Sequence, residues 1–331
     1  MPEQNEAVDM AGLPVQMPLM PKTEAAARAR FFNSGNAFNV HLPDVPAASF
    51  DVSPSMSNAA RRETQWLDCD QSDVLGSILP ATTPLMLARY LSLAAGAHRV
   101  LDSTTSGSIW YVIEGSGTAT HGVTSFETSF ETNFEWHRGD VFMMPGNAPA
   151  ALHAAQDGAL LWCVDDSPLL AHEDVVPRAR GAAPHTASRP PLAAVHFPAH
   201  EIERQLDALF KTSANAQTSG FAVIFSSAEL EASRNLLPTL TLSLNTLPAG
   251  DVQPPHRHNS AAITLVLQGD DCFSMVDGKR CDWRPYRTLV TPPAALHSHH
   301  NEGGGPRARF LIVQDGGLYY HARTMGFEFG V

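Results

Sequence analysis

The hydrophobic pattern of the chain changes character near Pro84. Before that point residues 1–21 are rich in Met and Pro and read as an arm. PKTEAAARARFF (21–32) has a proline start, an alanine middle and an apolar end, which predicts a helix. Residues 33–75 carry little periodic signal. Beyond Pro84 come short apolar runs, LMLARYLSL, SIWYVIEG, DVFMMPG and ALLWCV, separated by Gly, Pro, Asn and Asp. Short runs with that punctuation predict strands of an all-β sandwich or barrel. Residues 166–200, rich in Pro and Ala, break the pattern, and AHEIERQLDALF (199–210) has the spacing of an amphipathic helix. A second β series follows: FAVIFSS, LTLSLNTL, ITLVLQG, CFSMVDGKRCDW, TLVTPP and ARFLIVQD. The closing YYHARTMGFEFGV offers aromatic residues for a barrel end or an interface.

The two series are copies. At an offset of 154 residues Pro84 falls on Pro238, Leu93 on Leu247, Gly96 on Gly250, Ile109 on Ile263, Val112 on Val266 and Gly115 on Gly269, without a gap. Turn glycines and strand apolars coincide, so one β unit is duplicated in tandem. The expected organisation is an arm and helix over 1–75, a first barrel over 76–165, a linker and helix over 166–215, and a second barrel over 216–331.

Composition narrows the partners. With 34 acidic against 22 basic side chains and a net charge of −12, the chain is a poor match for nucleic acid or an anionic membrane. No apolar run reaches the roughly 20 residues of a membrane span, and MPEQNEAVDM lacks the basic start of an export signal, so a cytoplasmic location is expected. The cysteines, Cys69, Cys163, Cys272 and Cys281, form no CxxC pair. Counting outward from a hairpin turn at Asp277-Gly278, Cys281 faces Ser274 and Cys272 is only its diagonal neighbour. A diagonal separation of about 7 Å is too long for an unstrained disulfide, so free thiols are expected.

The chemistry concentrates in the second copy. PPHRHNSAAITLVLQG carries His256 and His258, two residues apart in a strand-like run and therefore on one face. TPPAALHSHHN supplies His297, His299 and His300 some forty residues later. Two same-face imidazoles with a third from a facing strand make a small transition-metal site. The alternative is two ordinary half-buried histidines, which without a metal have few hydrogen-bond partners.

These residues resemble the cupin superfamily, whose motifs are G-x5-HxH-x3,4-E-x6-G and G-x5-P-x-G-x2-H-x3-N. Here the first reads Gly250, His256-Arg257-His258, Ala262, Gly269, and the second Tyr286, Pro292, Ala294, His297, Asn301. The resemblance covers roughly residues 80–165 and 220–320 and implies a bicupin: two small antiparallel barrels with metal ligands pointing inward. The first copy keeps the frame and loses the ligands. It has Asp102-Ser103-Thr104 in place of HRH and Ala150 in place of the later histidine, with His98 and His153 off the ligand positions. Asp102 alone is a weak ligand set, so the first barrel is expected to be metal-free and to act by packing.

Within cupins the second barrel most resembles gentisate and salicylate 1,2-dioxygenases, through HRH and the H-x-H-x-N run of His297, His299 and Asn301. That resemblance implies that His256, His258 and His297 bind Fe(II). It also implies that His299 contacts substrate or oxygen, and that Asp315 stands at the aspartate of an LDG-like segment and orients His299. His300 is expected in a solvated loop. Departures are informative. Ala262 replaces the glutamate of other cupins, leaving a neutral three-histidine set whose divalent ion keeps its full charge and open positions for a chelating substrate and O2. Asn245 replaces a glutamine. Thr264 replaces the arginine that pairs with a substrate carboxylate; its parity points it inward, and Arg234 or Arg309 are the candidates to take over. The relatives keep their metal in the first barrel, whereas here it lies in the second.

The implied function is a ring-cleaving Fe(II) dioxygenase acting on a hydroxylated aromatic acid or related phenolic chelator with O2, in a homo-oligomer. Imidazoles alone also accept Zn, Ni, Co or Cu. A redox-neutral metal cupin (isomerase, decarboxylase or hydrolase) and a non-catalytic small-molecule binder are the competing readings.

Overall fold

The computed structural model describes residues 9–57, 63–101, 104–124, 129–177, 192–212 and 221–330. The chain divides into two compact units, Met1–Asp44 and Val45–Val331. In the first, Gln16 and Phe31 form an isolated antiparallel bridge. The helix expected over 21–32 is a single turn, Glu24–Ala27, capped by the Thr23 hydroxyl accepting from Ala26 N at 3.1 Å. None of its residues is buried. A helix gains most of its stability from an apolar face packed on something else, and this one has none.

The second unit holds every strand. Its first part contains β1 (Ala48–Phe50), β2 (Gln65–Asp68), β3 (Leu87–Leu93), β4 (His98–Val100), β5 (Gly107–Thr124), β6 (Ser129–His137), β7 (Val141–Pro145), β8 (Ala150–Asp165) and β9 (Val195–Phe197). After the helix Ala199–Phe210 come β10 (Phe221–Phe225), β11 (Thr241–Leu247), β12 (Val252–His258), β13 (Ala262–Gln268), β14 (Cys272–Val276), β15 (Lys279–Asp282), β16 (Thr288–Thr291), β17 (His297–Asn301), β18 (Ala308–Gln314) and β19 (Phe327–Phe329).

The duplication is visible in the ladders. β3 and β11 begin and end 154 residues apart. The order β3-β8-β5-β7 in one sheet is repeated as β11-β18-β13-β16 in another. The copies differ in how they turn the barrel corner. In the first, β5 and β8 run through it as long bent strands with register shifts at Val112/Glu114 and Gly115/Gly117. Gly115 has φ +84°, and a Cβ there would lie 2.1 Å from the Gly158 carbonyl oxygen, so no other residue fits. In the second, the chain breaks there, leaving a six-stranded sheet (β1-β16-β13-β18-β11-β10) and a five-stranded one (β15-β14-β17-β12-β19).

Alternation along β11, β13 and β18 separates two cores. Leu242, Leu244, Ile263, Leu265, Leu311 and Val313 join Tyr90, Ile109 and Trp162 of the first copy in one cluster between the barrels. Leu247, Val266, Leu289 and Phe310 pack with Trp283 inside the second barrel. The contact between copies also has a polar knot. The Tyr90 hydroxyl donates to the Tyr286 carbonyl (2.6 Å) and accepts from the Thr288 hydroxyl (2.7 Å), which accepts from Trp162 Nε1 (2.9 Å).

Chain segments expected to be loops take part in these sheets. β1 adds an edge strand to β16, with Asp51 in a bidentate pair with Arg287. β2 pairs with β3, and β9, from the connecting stretch, pairs with β7. All three are three or four residues long, too short for a period to show. All four cysteines are free, and Cys281 is in register with Ser274 across a turn in which Asp277 and Gly278 have φ +46° and +75°. Among the described residues no helix is long and apolar enough to cross a membrane.

Candidate metal centre

His256 and His258 lie on β12 and His297 on the adjacent β17, with His256 directly opposite His297 in the ladder. All three are buried. Ring centroids are 4.2 Å apart for His256 and His297, 4.8 Å for His258 and His297, and 6.0 Å for His256 and His258. One nitrogen from each ring lies within 4.8 Å of the others.

The second nitrogen of each ring fixes the tautomer. His256 Nδ1 donates to the Pro254 carbonyl at 2.8 Å, His258 Nδ1 to Ser260 O at 2.8 Å, and His297 Nδ1 to Ala295 O at 2.9 Å. A carbonyl only accepts, so every Nδ1 carries the proton and every Nε2 is left unprotonated with its lone pair available. Metal-binding imidazoles are held in this way. Burial also pushes all three pKa values down, His297 to about 3, so the rings are neutral at pH 7 and able to bind a cation. The donor set fits a divalent transition metal.

The backbone that positions these rings follows the two motifs. Gly250 turns the chain into β12 with φ +78° and donates to the Asn301 carbonyl at 2.8 Å. The Asn301 side chain in turn donates to Leu247 O at 3.0 Å. Ala294 N donates to His258 O at 2.7 Å. Tyr286 and Ala294 stand where the motif has glycine, and both keep the glycine backbone at φ +62°. Phe327 of β19 stacks on His256 at 5.2 Å, so the aromatic C-terminal stretch covers the cluster.

His299 shares the inward face with His297, at a centroid distance of 5.9 Å, and is fully buried. Its orientation comes from residues that the sequence did not single out. Trp283 Nε1 donates to Ser274 Oγ (2.8 Å), and Ser274 Oγ lies 2.8 Å from His299 Nδ1. The serine hydroxyl accepts the indole N–H and pairs with Nδ1, so the indole and the serine together fix the plane of the His299 ring. Burial beside three other imidazoles pushes the His299 pKa well down. Ser274 stands opposite His299 in the β14–β17 ladder, a pairing that the hairpin count of Ser274 with Cys281 does not contain.

No hydrogen bond joins Asp315, expected to orient His299, to that ring among the described residues, and His299 Nδ1 pairs with Ser274 instead. Asp315 is buried, and its Oδ1 accepts from Ala261 N at 2.9 Å, where β13 begins. Burial raises its pKa to about 7. His300 lies in β17 and not in a loop; its ring stacks on Phe273 at 4.4 Å, on the opposite strand face from His297 and His299. Thr264 is buried on the inward face with Ala262 and Val266. Asn245, half-buried on the inward face of β11, donates to Ser243 Oγ at 2.7 Å.

The arginines separate. Arg309 is held by Glu203 in a bidentate pair of 2.5 and 2.6 Å and lines a cavity against Tyr111 and Tyr286 of the contact between barrels. Arg234 has no ion pair among the described residues. It lines a cavity of about 300 Å³ together with Thr241, Ser243, Gln314 and Tyr320. Gln314 also reaches the histidines: its Nε2 lies 3.1 Å from His258 Nε2. In the first copy, Asp102 lies outside the described residues. His98 and His153 are paired across β4 and β8 and stack on each other at 4.3 Å.

Comparison with known proteins agrees with this geometry. The family model for the Cupin domain matches residues 243–314. Gentisate 1,2 dioxygenase 1 of Aquipseudomonas alcaligenes is 30% identical over 94 residues, 28% of this chain and 26% of the relative. Gentisate 1,2-dioxygenase of a Streptomyces species is 35% identical over 93 residues, 28% of this chain and 26% of its own length. The matched segment thus spans about a quarter of these curated relatives. In fold the likeness is wider. Salicylate 1,2-dioxygenase from Pseudaminobacter salicylatoxidans superposes with a TM-score of 0.68 over 88% of this chain and 91% of that one, at 15% identity. The chain has the two-barrel cupin fold, and its C-terminal barrel resembles those dioxygenases.

Proposed function

We propose that the second barrel is the active site of a ring-cleaving dioxygenase for a hydroxylated aromatic acid or related phenolic chelator, with Fe(II) held by His256, His258 and His297. The observation that carries this reading is the convergence of three neutral imidazoles, each with Nδ1 committed to a carbonyl and Nε2 left unprotonated. When bound, iron supplies Lewis acidity and a redox partner for O2. The relatives named gentisate 1,2-dioxygenase, and a solved salicylate 1,2-dioxygenase described as an adduct with gentisate, favour this substrate class.

The chain's own residues divide the remaining work. In this reading His299 presents Nε2 inside a dry pocket, held by the Ser274–Trp283 chain, and hydrogen-bonds the substrate or oxygen beside it. Arg234 replaces the guanidinium missing at Thr264. It reaches the same barrel mouth from the segment before β11, and no carboxylate of the protein competes for it among the described residues. Asn245 and Thr264 line the inward wall against the ring, and Asp315 positions the start of β13.

The test is elemental analysis of freshly purified protein, followed by O2 uptake by iron-loaded protein with a panel of salicylates, gentisate and aminophenols. Uptake with one or more of them is expected. Full iron occupancy with no uptake across the panel defeats the proposal, and turnover under nitrogen with Zn or Mn moves the protein to redox-neutral chemistry.

A further inference from the structure

From the placement of Gln314 we infer that it is a fourth ligand to the metal, standing in for the glutamate that the barrel lacks. The inference rests on the three-histidine metal reading but not on the oxygen chemistry. Gln314 lies on β18 directly opposite Ala262, the position where other cupins carry the carboxylate. Its amide therefore enters the barrel from the strand next to the vacant place. It is the one side chain among the described residues that hydrogen-bonds an unprotonated Nε2 of the cluster: the amide nitrogen stands 3.1 Å from His258 Nε2.

That distance has a second meaning. Two atoms bound to one ion at about 2.1 Å and at right angles are about 3.0 Å apart. The amide thus sits where a neighbouring ligand of His258 belongs. Without a cation it turns its N–H towards the lone pair. A half-turn about the last torsion exchanges nitrogen for oxygen at nearly the same place, because the two ends of an amide are alike in shape. The carbonyl oxygen is then the end that faces a positive ion. It completes the site without adding charge, so the ion keeps its full attraction for an anionic chelator.

The first barrel shows that this register position points inward in both copies. Asp165 is opposite Ser108 and Leu87, as Gln314 is opposite Ala262 and Thr241; Ala262 and Thr241 lie at the 154-residue offset from Ser108 and Leu87, so the ladder register makes Asp165 and Gln314 equivalent. There the carboxylate is taken by Arg89 at 2.9 Å. In the second barrel Ser243 occupies the Arg89 place and the amide is left for the histidines.

Zinc affinity decides between a ligand and a mere cap, with no turnover required. Chelator-stripped wild-type protein, Gln314→Leu and Gln314→Glu are titrated with zinc against a chromophoric competitor, and the urea midpoint of each stripped protein checks the fold. A ligand predicts at least about tenfold weaker binding by Gln314→Leu and binding at least as tight as wild type by Gln314→Glu. A cap that competes for the His258 lone pair predicts the reverse, since its removal frees the lone pair. Unchanged or tighter binding by Gln314→Leu overturns the inference, as does equal weakening in both variants. If the wild type takes up no zinc, the metal reading falls and this inference with it; if only the variants fail to differ, the metal reading stands.

Discussion

Two buried groups of the second barrel, His297 and Asp315, make the metal-free chain respond to acid in opposite senses. Burial lowers the His297 pKa from 6.5 to about 3 and raises that of Asp315 from 3.8 to about 7. A depressed histidine favours the folded state fully above its unfolded pKa, and that contribution is lost as pH falls from about 6.5 towards about 3. A raised carboxyl favours the folded state below its unfolded pKa, and that contribution is lost as pH rises through about 7. Between pH 7 and pH 5, then, acid costs about 2 kcal/mol at His297 and returns about 2 kcal/mol at Asp315. The wild type also carries His256, His258 and His299, whose pKa values burial lowers as well, so acid destabilises it on balance and single variants isolate each contribution.

The perturbations are His297→Gln and Asp315→Asn, which remove one titration each and keep a polar side chain of similar size. The assay is urea unfolding of chelator-stripped protein at pH 7 and pH 5, with the difference in unfolding free energy taken for each protein. Relative to wild type, His297→Gln gains about 2 kcal/mol on acidification and Asp315→Asn loses about 2 kcal/mol. Equal pH responses in all three proteins, within about 0.5 kcal/mol, would falsify the claim that these groups are held neutral by burial.

Other expectations follow from the same contacts. His256→Ala or His258→Ala abolishes metal loading as read by elemental analysis, and Asp102→Ala leaves it intact. Thr288→Val strips the acceptor from Trp162 Nε1 between the barrels and costs about 1–3 kcal/mol in urea unfolding, with zinc affinity unchanged; equal stability would remove the polar knot from the account of how the copies hold together. In an active preparation Arg234→Ala raises KM for carboxylate substrates by tenfold or more and spares those without a carboxylate, while Arg309→Ala, whose partner is Glu203, leaves KM alone.

The tandem repeat, the inward parity of Thr264 and the histidine ligand face were readable because each rests on a fixed spacing: an offset of 154, and a period of two in strands. The two motifs also survived their missing glycines, since Tyr286 and Ala294 adopt the left-handed backbone that the positions require. What stayed hidden depends on contacts with no constant separation in sequence. Ser274 and Trp283 hold His299 from another strand and its following turn, and nothing in the run LHSHHN points to them. The resemblance links Asp315 to His299, and its carboxylate accepts from the Ala261 amide, 54 residues away in the chain. The short strands β1, β2 and β9 are recruited by sheet edges and not by their own pattern.

The two copies differ in what fills their interiors. The residue 154 positions before Thr264 is Trp110, buried and stacked on Phe142 at 5.8 Å, with Trp136 in the same core. An indole there fills the space that a threonine leaves open, and the cavity lined by Trp110, Arg89 and Asp165 measures about 30 Å³ against about 300 Å³ beside Gln314. Filling the interior gives the first barrel a large apolar core, and its outer face, through Tyr90 and Trp162, supports the strands on which Gln314, Asn245 and Thr264 are carried. The second barrel gives up part of that apolar filling for four buried imidazoles and an amide, and its inner apolar cluster gathers around Trp283, Val266 and Phe310. A polar, partly open barrel of this kind has little packing of its own to hold strand positions within the few tenths of an ångström that a metal site demands. The neighbour with the filled interior supplies it, so the apolar core of one copy and the histidine cluster of the other are two sides of a single division of labour.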